Sequence, residues 1–266
     1  MEPIKTLECE TVYAAEQGHI GWIILNRPAK LNAMNKQMQA DIIACLDHFR
    51  KKLDVRVVII RGEGRSFCAG ADIGDWKGTN AVERWRYDKL HARRVFEEME
   101  TFPKPIIAQI HGHAVGGGAE LFLAADIRVA SRSAQLGLTE IRFGMIPGAG
   151  GTQRLARLVG EGQTMRLVLL GETIDGDEAA RIRLVEFSVP DDELEGFALK
   201  IAAALSEKAP IAIEAAKEAI KAAAANTLQG GLMHEIALST LCFATDDKEE
   251  AVRAFREKRK PVFHAR

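Results

Sequence analysis

Two glutamates and a run of glycines carry the strongest chemical signal in this 266-residue chain. In "HGHAVGGGAE" (111–120), Gly116, Gly117 and Gly118 lead to Glu120, and the apolar run "LFLAAD" follows at once. Glu140, in "LGLTEIRFG", comes twenty residues later. A carboxylate in apolar surroundings tends to hold its proton more tightly than one in water, which suits it to acid–base work near neutral pH. Taken alone, either glutamate reads as a surface or helix-capping residue. A pair flanking glycine-rich turns reads as a candidate acid–base pair.

Three turns of this kind occur: "SFCAGADI" (66–73), the stretch ending at Glu120, and "GMIPGAGGTQR" (144–154). Glycines placed after parallel strands let backbone N–H groups approach a ligand at the crevice beyond the strand ends. If a helix opens at Gly117, its first N–H groups have no partner within the helix, and the helix dipole adds to their attraction for negative charge. A second N–H from the "AGAD" turn can converge on the same point. Two such donors form an oxyanion hole, fitted to a thioester carbonyl turning into an enolate. Nucleotide loops fit poorly, because no GK[ST] triplet occurs and "GHAVGGGAE" does not supply GxGxxG opening a helix.

The elements that would position these groups follow from periodicity. "ECETVYAAEQGHIGWIILN" (8–26) predicts a hairpin turning near Gln17 and Gly18. Met38, Ile42, Leu46, Phe49 and Leu53 have helical spacing over 35–53, with Asn35 as N-cap. Strands are predicted at 55–62, 105–110, 127–130 and 184–189, and helices at about 83–101 and 117–125. Strands alternating with helices indicate parallel βαβ units. From about 192 onward only helical patterns remain, dividing the chain into an α/β core with the active site (1–191) and a helical C-terminal region (192–266).

Composition narrows the class. A hydrophobic share of 47% with 27% charged residues fits an ordinary globular protein. A net charge of −1 offers no general attraction to nucleic acid or an anionic membrane. Cys9, Cys45, Cys68 and Cys242 are scattered, without metal-ligand spacing, and read as reduced thiols of a cytoplasmic protein. No apolar stretch approaches membrane-spanning length, and "MEPIKTLECE" lacks the layout of a signal peptide.

"SFCAGADI", "HGHAVGGGAELFLAADIRVAS", "QLGLTEIRFGMIPGAGGTQRLARLVG" and "AVRAFREKRKPVF" together resemble the enoyl-CoA hydratase/isomerase (crotonase) superfamily, in order and at the expected intervals. The resemblance implies a ClpP/crotonase-like α/β core of repeated ββα units, with a helical C-terminal region that forms trimers, two of which commonly stack into a hexamer. It implies an enoyl-CoA hydratase, reversibly adding water syn across the 2,3 double bond of a thioester. Oxyanion donors then fall on the N–H groups of Ala71 and Gly117. Glu120 would activate water and Glu140 would deliver the Cα proton.

By the same resemblance the coenzyme A part lies over "NRPAKLNAM" and "AGADI", at Lys30, Leu31, Ala69, Ala71, Asp72, Ile73 and the adjoining Gly74. Phe255 and Lys258 match positions that meet the adenine end of a neighbouring subunit's ligand. Many relatives carry a lysine directly after the proline, whereas here Ala29 intervenes before Lys30. The resemblance implies no metal and no cofactor beyond the coenzyme A carried by the substrate. Sister reactions on the same scaffold are an enoyl-CoA isomerisation, a carnitinyl-CoA dehydration and the hydration of alicyclic thioesters. An isomerase can manage with one glutamate, so the pair favours hydration. An RNA-binding relative uses a comb of lysines after the first hairpin, but residues 37–49 contain no Lys or Arg.

Overall fold

Runs such as "VVIIRG" and "IIAQI" are apolar at successive positions, the pattern of strands covered on both faces. A computed structural model, describing residues 3–76, 78, 80–87 and 93–266, shows them at the centre of one sheet. Its strands are β1 (Ile4–Glu8), β2 (Val12–Gln17), β3 (Ile20–Leu25), β4 (Val57–Gly62), β5 (Ile106–Ile110), β7 (Ile127–Ser131) and β9 (Phe187–Val189), lying side by side in that order. β1, β2 and β3 pair antiparallel; from β3 to β9 every pairing is parallel. A second sheet of two parallel strands joins β6 (His113–Val115) to β8 (Gln135–Gly137).

Because successive strand residues face opposite ways, the sheet builds two cores. Ile23, Leu25, Val58 and Ile60 face one side, beneath α1 (Lys36–Arg50), α3 (Arg94–Glu100), α4 (Gly117–Ala124) and α5 (Gly151–Leu170). Trp22, Ile24, Val57, Ile59, Ile107 and Val129 face the other, where Leu194, Ala198 and Ala202 of α7 (Leu194–Ser206) close over them. The boundary read at residue 191 thus falls just before a helix that covers the sheet. Beyond it come α8 (Pro210–Ala222), α9 (Leu228–Phe243) and α10 (Asp246–Glu257). Lys217 fastens α8 to the core, its Nζ 2.7 Å from Asp126 Oδ2 and donating to the carbonyls of Met99 and Lys104.

The structure departs from the periodicity reading in particular places. Leu53 lies beyond the end of α1 and is 84% exposed. The helix read over 83–101 is two helices, α2 (Ala81–Tyr87) and α3, and residues 88–92 lie outside the described residues. Leu184 and Val185 are buried in the turn that ends α6 (Gly176–Arg181), their N–H groups donating to Ala179 O, so β9 starts only at Phe187. Among the described residues, no helix is long and apolar enough to cross a membrane.

Candidate active site

β4 and β5 are parallel neighbours, so the loops leaving them emerge at the same edge of the sheet. The loop after β4 is stitched down from both sides. The amides of Phe67 and Cys68 donate to the carbonyls of His111 and His113, and Val115 N donates back to Cys68 O. From the other side, Met34 N donates to Gly70 O at 2.7 Å and Asp72 N to Met34 O at 2.9 Å. In extended chain, neighbouring amides point to opposite sides. With residues 70 and 72 bonded to Met34, Ala71 N–H is directed away from that bridge. Among the described residues it donates to no protein group, and neither does Gly117 N–H.

The three glycines do three different things. Gly116 turns the chain into α4 with φ 54°, in the left-handed region. At Gly117 a Cβ would stand 3.4 Å from Ala71 N, so the two free amides belong to segments in direct contact. At Gly118 a Cβ would lie 2.1 Å from Cys68 O, so only glycine lets the first turn of α4 press against the loop after β4. The positive end of α4 therefore opens beside Ala71.

Glu120 follows on the first turn of α4 and is buried. Its Oε1 accepts N–H from Ala149 at 2.7 Å and from Gly151 at 2.9 Å, both in the third glycine turn. Burial pushes its carboxyl up to about 7; the Gly151 amide opposes that rise and the Glu140 charge adds to it. Glu140 sits on a single helical turn, Glu140–Phe143, half-buried, and burial raises its carboxyl too. Its Oε2 is enclosed and, among the described residues, has no hydrogen-bond partner. A Cβ on Gly116 would come 3.6 Å from Glu140 Oε1, which sets this second acid against the turn that opens α4.

Ala71, Gly117, Glu120 and Glu140 all line one cavity of about 910 Å³. Lys30, Ala69, Asp72 and Ile73 share its wall, and Phe96, Phe143, Met145 and Ile146 give it an apolar side. Asp72 braces its loop: it pairs with Arg27 at 2.9 Å and accepts Gly74 N–H at 3.0 Å, and the Arg27 guanidinium beside it holds its carboxyl below the usual range. Leu31, with φ 51°, lies behind the wall, its carbonyl accepting Ala69 N–H. The structure does not bring Phe255 and Lys258 to this cavity: Phe255, on α10, is 85% exposed, and Lys258 caps that helix. His111 serves the scaffold, its Nε2 2.9 Å from Gly64 O.

Sequence reasoning missed Asn32 and the task of the third glycine turn. Asn32 is fully buried; its Oδ1 accepts Arg27 N–H, and its Nδ2 donates to the carbonyls of Glu63 and Ser66, tying the loop before α1 to the one after β4. A polar residue amid "NRPAKLNAM" was the visible signal, but the carbonyls that accept from its Nδ2 lie about thirty residues away.

Backbone donors at a helix start beside two acids in one cavity are the parts that proton-transfer chemistry on a carbonyl compound calls for. The enoyl-CoA hydratase/isomerase family model matches residues 15–266, and the chain belongs to that family. It is 37% identical over 255 residues to a short-chain-enoyl-CoA hydratase of Clostridium acetobutylicum, covering 96% of this chain and 97% of that one. It is also 37% identical to a 2,3-dehydroadipyl-CoA hydratase of Escherichia coli, over 95% of this chain and 98% of the relative. The crystal structure of an enoyl-CoA hydratase from Bacillus anthracis superposes with a TM-score of 0.92 at 38% identity, covering 97% of this chain and all of that one.

Proposed function

We propose that this chain is an enoyl-CoA hydratase, a hydro-lyase that reversibly adds water syn across the 2,3 double bond of an acyl-CoA thioester. The observation that carries the reading is the meeting of two unengaged amides and two enclosed acids in one cavity. With the thioester oxygen between Ala71 N–H and Gly117 N–H, negative charge developing there is met by fixed donors. Losing one such donor costs on the order of a hundred- to a thousandfold in rate. Glu120, steadied by Ala149 and Gly151, takes a proton from water as it attacks Cβ; Glu140 gives a proton to Cα. Dehydration reverses the roles.

The scheme needs one proton shared between the two acids. Burial raises both carboxyl groups, which favours keeping a proton on the pair, and elimination requires that proton on Glu120. Addition requires it on Glu140. The pair titrates as a unit, so both directions draw on the same singly protonated state. This acid–base chemistry takes no metal or redox cofactor, and coenzyme A enters as part of the substrate. Its phosphates are drawn to Lys30 at the cavity mouth.

The two relatives that match at 37% identity have hydratase names with different acyl groups, so similarity supports the reaction more than the acyl group. α9 leaves Leu228, Met233, Ile236 and Phe243 exposed, an apolar surface that a second copy of the chain would cover, in keeping with a trimer or a pair of trimers. That packing would let Phe255 and Lys258 reach a neighbour's ligand. Four free thiols accord with a cytoplasmic protein. The test is a panel of 2-enoyl-CoA thioesters, followed by loss of the conjugated-thioester absorbance. Activity on 3-enoyl thioesters alone would move the assignment to an isomerase.

A further inference from the structure

We propose that Arg154 and Glu100 form a positioning unit for Glu120, fixing the Ala149–Gly151 turn whose amides hold its carboxylate. The inference rests on the reading of Glu120 as a proton-transfer group. Ala149 is gripped from both sides: its N–H donates to Glu120 Oε1, and its carbonyl accepts from Arg154 Nη1 at 2.6 Å. Gly150, between the two donors, has φ 105°, and a Cβ there would stand 2.1 Å from Arg154 Nη1. The guanidinium thus lies directly against the turn. Its other edge forks onto Glu100, with Nε 2.8 Å from Oε1 and Nη2 2.7 Å from Oε2.

Glu100 ends α3, which Val95, Phe96 and Met99 bury in the core. The chain of contacts therefore runs from a packed helix, through a planar two-pronged pair, to a turn, and from the turn to the acid. A guanidinium can do this because its donors point in fixed directions along two edges, whereas an ammonium cannot fork in the same way.

The unit also sets charge near Glu120. The charges that bear on Glu120 are Glu140, from the turn after β8, and Arg154 from α5; Glu100, on α3, in turn feels Arg154 and, from α8, Lys217 and Lys221, which both pair with Asp126. Arg154 favours the ionised form of Glu120, against the effects of burial and of Glu140. Glu100, paired with Arg154 at 2.7 Å, carries the opposite charge, and by Coulomb's law a negative charge there offsets part of the guanidinium's pull. Removing one partner or the other must therefore move the Glu120 titration in opposite directions, which a purely structural brace would not do.

The experiment follows the Glu120 carboxyl by carbon NMR on protein labelled with carboxyl-¹³C glutamate, assigned by Glu120→Gln, alongside kcat and KM. Arg154→Met is expected to move the titration to higher pH and to lower kcat roughly ten- to a hundredfold, the scale of a small misplacement of a reacting group, with little change in KM. Glu100→Gln is expected to move it to lower pH. Arg154→Lys, which keeps the charge but not the fork, should leave the titration near the parent's while kcat still falls. Shifts of the same sign, or none, in the first two variants would overturn the proposal. Should Arg154→Met fail to fold, Glu100→Gln decides by the direction of its shift alone. Absence of hydratase turnover in the parent would sink the reading of Glu120 as a proton carrier, yet the titration arms would still judge whether Arg154 and Glu100 position it.

Discussion

α4 and α9 are both apolar helices, and they end up in opposite surroundings. Every residue of α4 after Gly117 is buried, Glu120 included, whereas no residue of α9 is. In α4 the enclosure is what makes a carboxylate useful: it strips water from Glu120 and brings the helix start against Ala71. α9 packs on α8, yet most of its apolar side chains, Leu228, Met233, Ile236 and Phe243 among them, remain exposed. The same composition thus builds a reaction site where the chain closes on itself and an unsatisfied surface where it does not. Hydropathy alone does not separate the two cases; the glycines ahead of α4 do.

The contrast can be broken most severely at the acids. Glu120→Gln and Glu140→Gln are each expected to lower hydration by roughly two to four orders of magnitude with the fold intact, as measured by steady-state turnover and circular dichroism. Near-normal turnover in either would remove the paired scheme. Next comes Gly118→Ala, where the new methyl would have to displace the backbone at Cys68. A loss of roughly 1–3 kcal/mol in denaturant unfolding, with reduced turnover, is expected. An unchanged midpoint would mean that α4 need not sit so close.

A smaller effect comes from protons. The folded chain holds the Glu120 proton up to about 7, against an ordinary 4.5, so the unfolded chain releases it first as pH rises. Stability from this group is greatest below about 4.5 and falls as pH climbs to about 7. The Tm of Glu120→Gln should therefore gain on the parent across that window and keep a constant lead above it. A gap independent of pH would contradict the burial argument. The kcat/KM profile should be bell-shaped, its alkaline limb set by the loss of the pair's last proton. Least disruptive to the single chain is Ile236→Asp on α9. It should lower the mass seen by light scattering while leaving the far-ultraviolet spectrum unchanged; an unaltered mass would show that α9 is not where copies meet.

Much of this was legible in the sequence because it depends on local pattern. β4 and β5 announce themselves as unbroken apolar runs, Asn35 caps α1 with its side chain accepting Met38 N–H as its position implies, and Glu120 stands one turn past Gly117. β6 and β8 were not legible: three residues each is too short for any period, and they are defined by pairing with each other and, for β6, by Cys68, which donates to His113 O and accepts from Val115 N–H. β1 escaped for a different reason, as its residues are largely exposed and lack an apolar face. At the site, sequence supplied the acids and the glycines but not the partners of Asn32, Met34 or Arg154. Those contacts join segments about thirty to fifty residues apart, and nothing local marks them.

The freedom of the Ala71 and Gly117 amides has a chemical corollary. A peptide nitrogen does not ionise across the range in which proteins stay folded, so the grip proposed for the substrate oxygen has no acidity constant of its own. Whatever dependence on acidity the reaction shows must come from the carboxyl groups and their charged neighbours. Altering those neighbours should therefore retune the working pH without touching the hole itself.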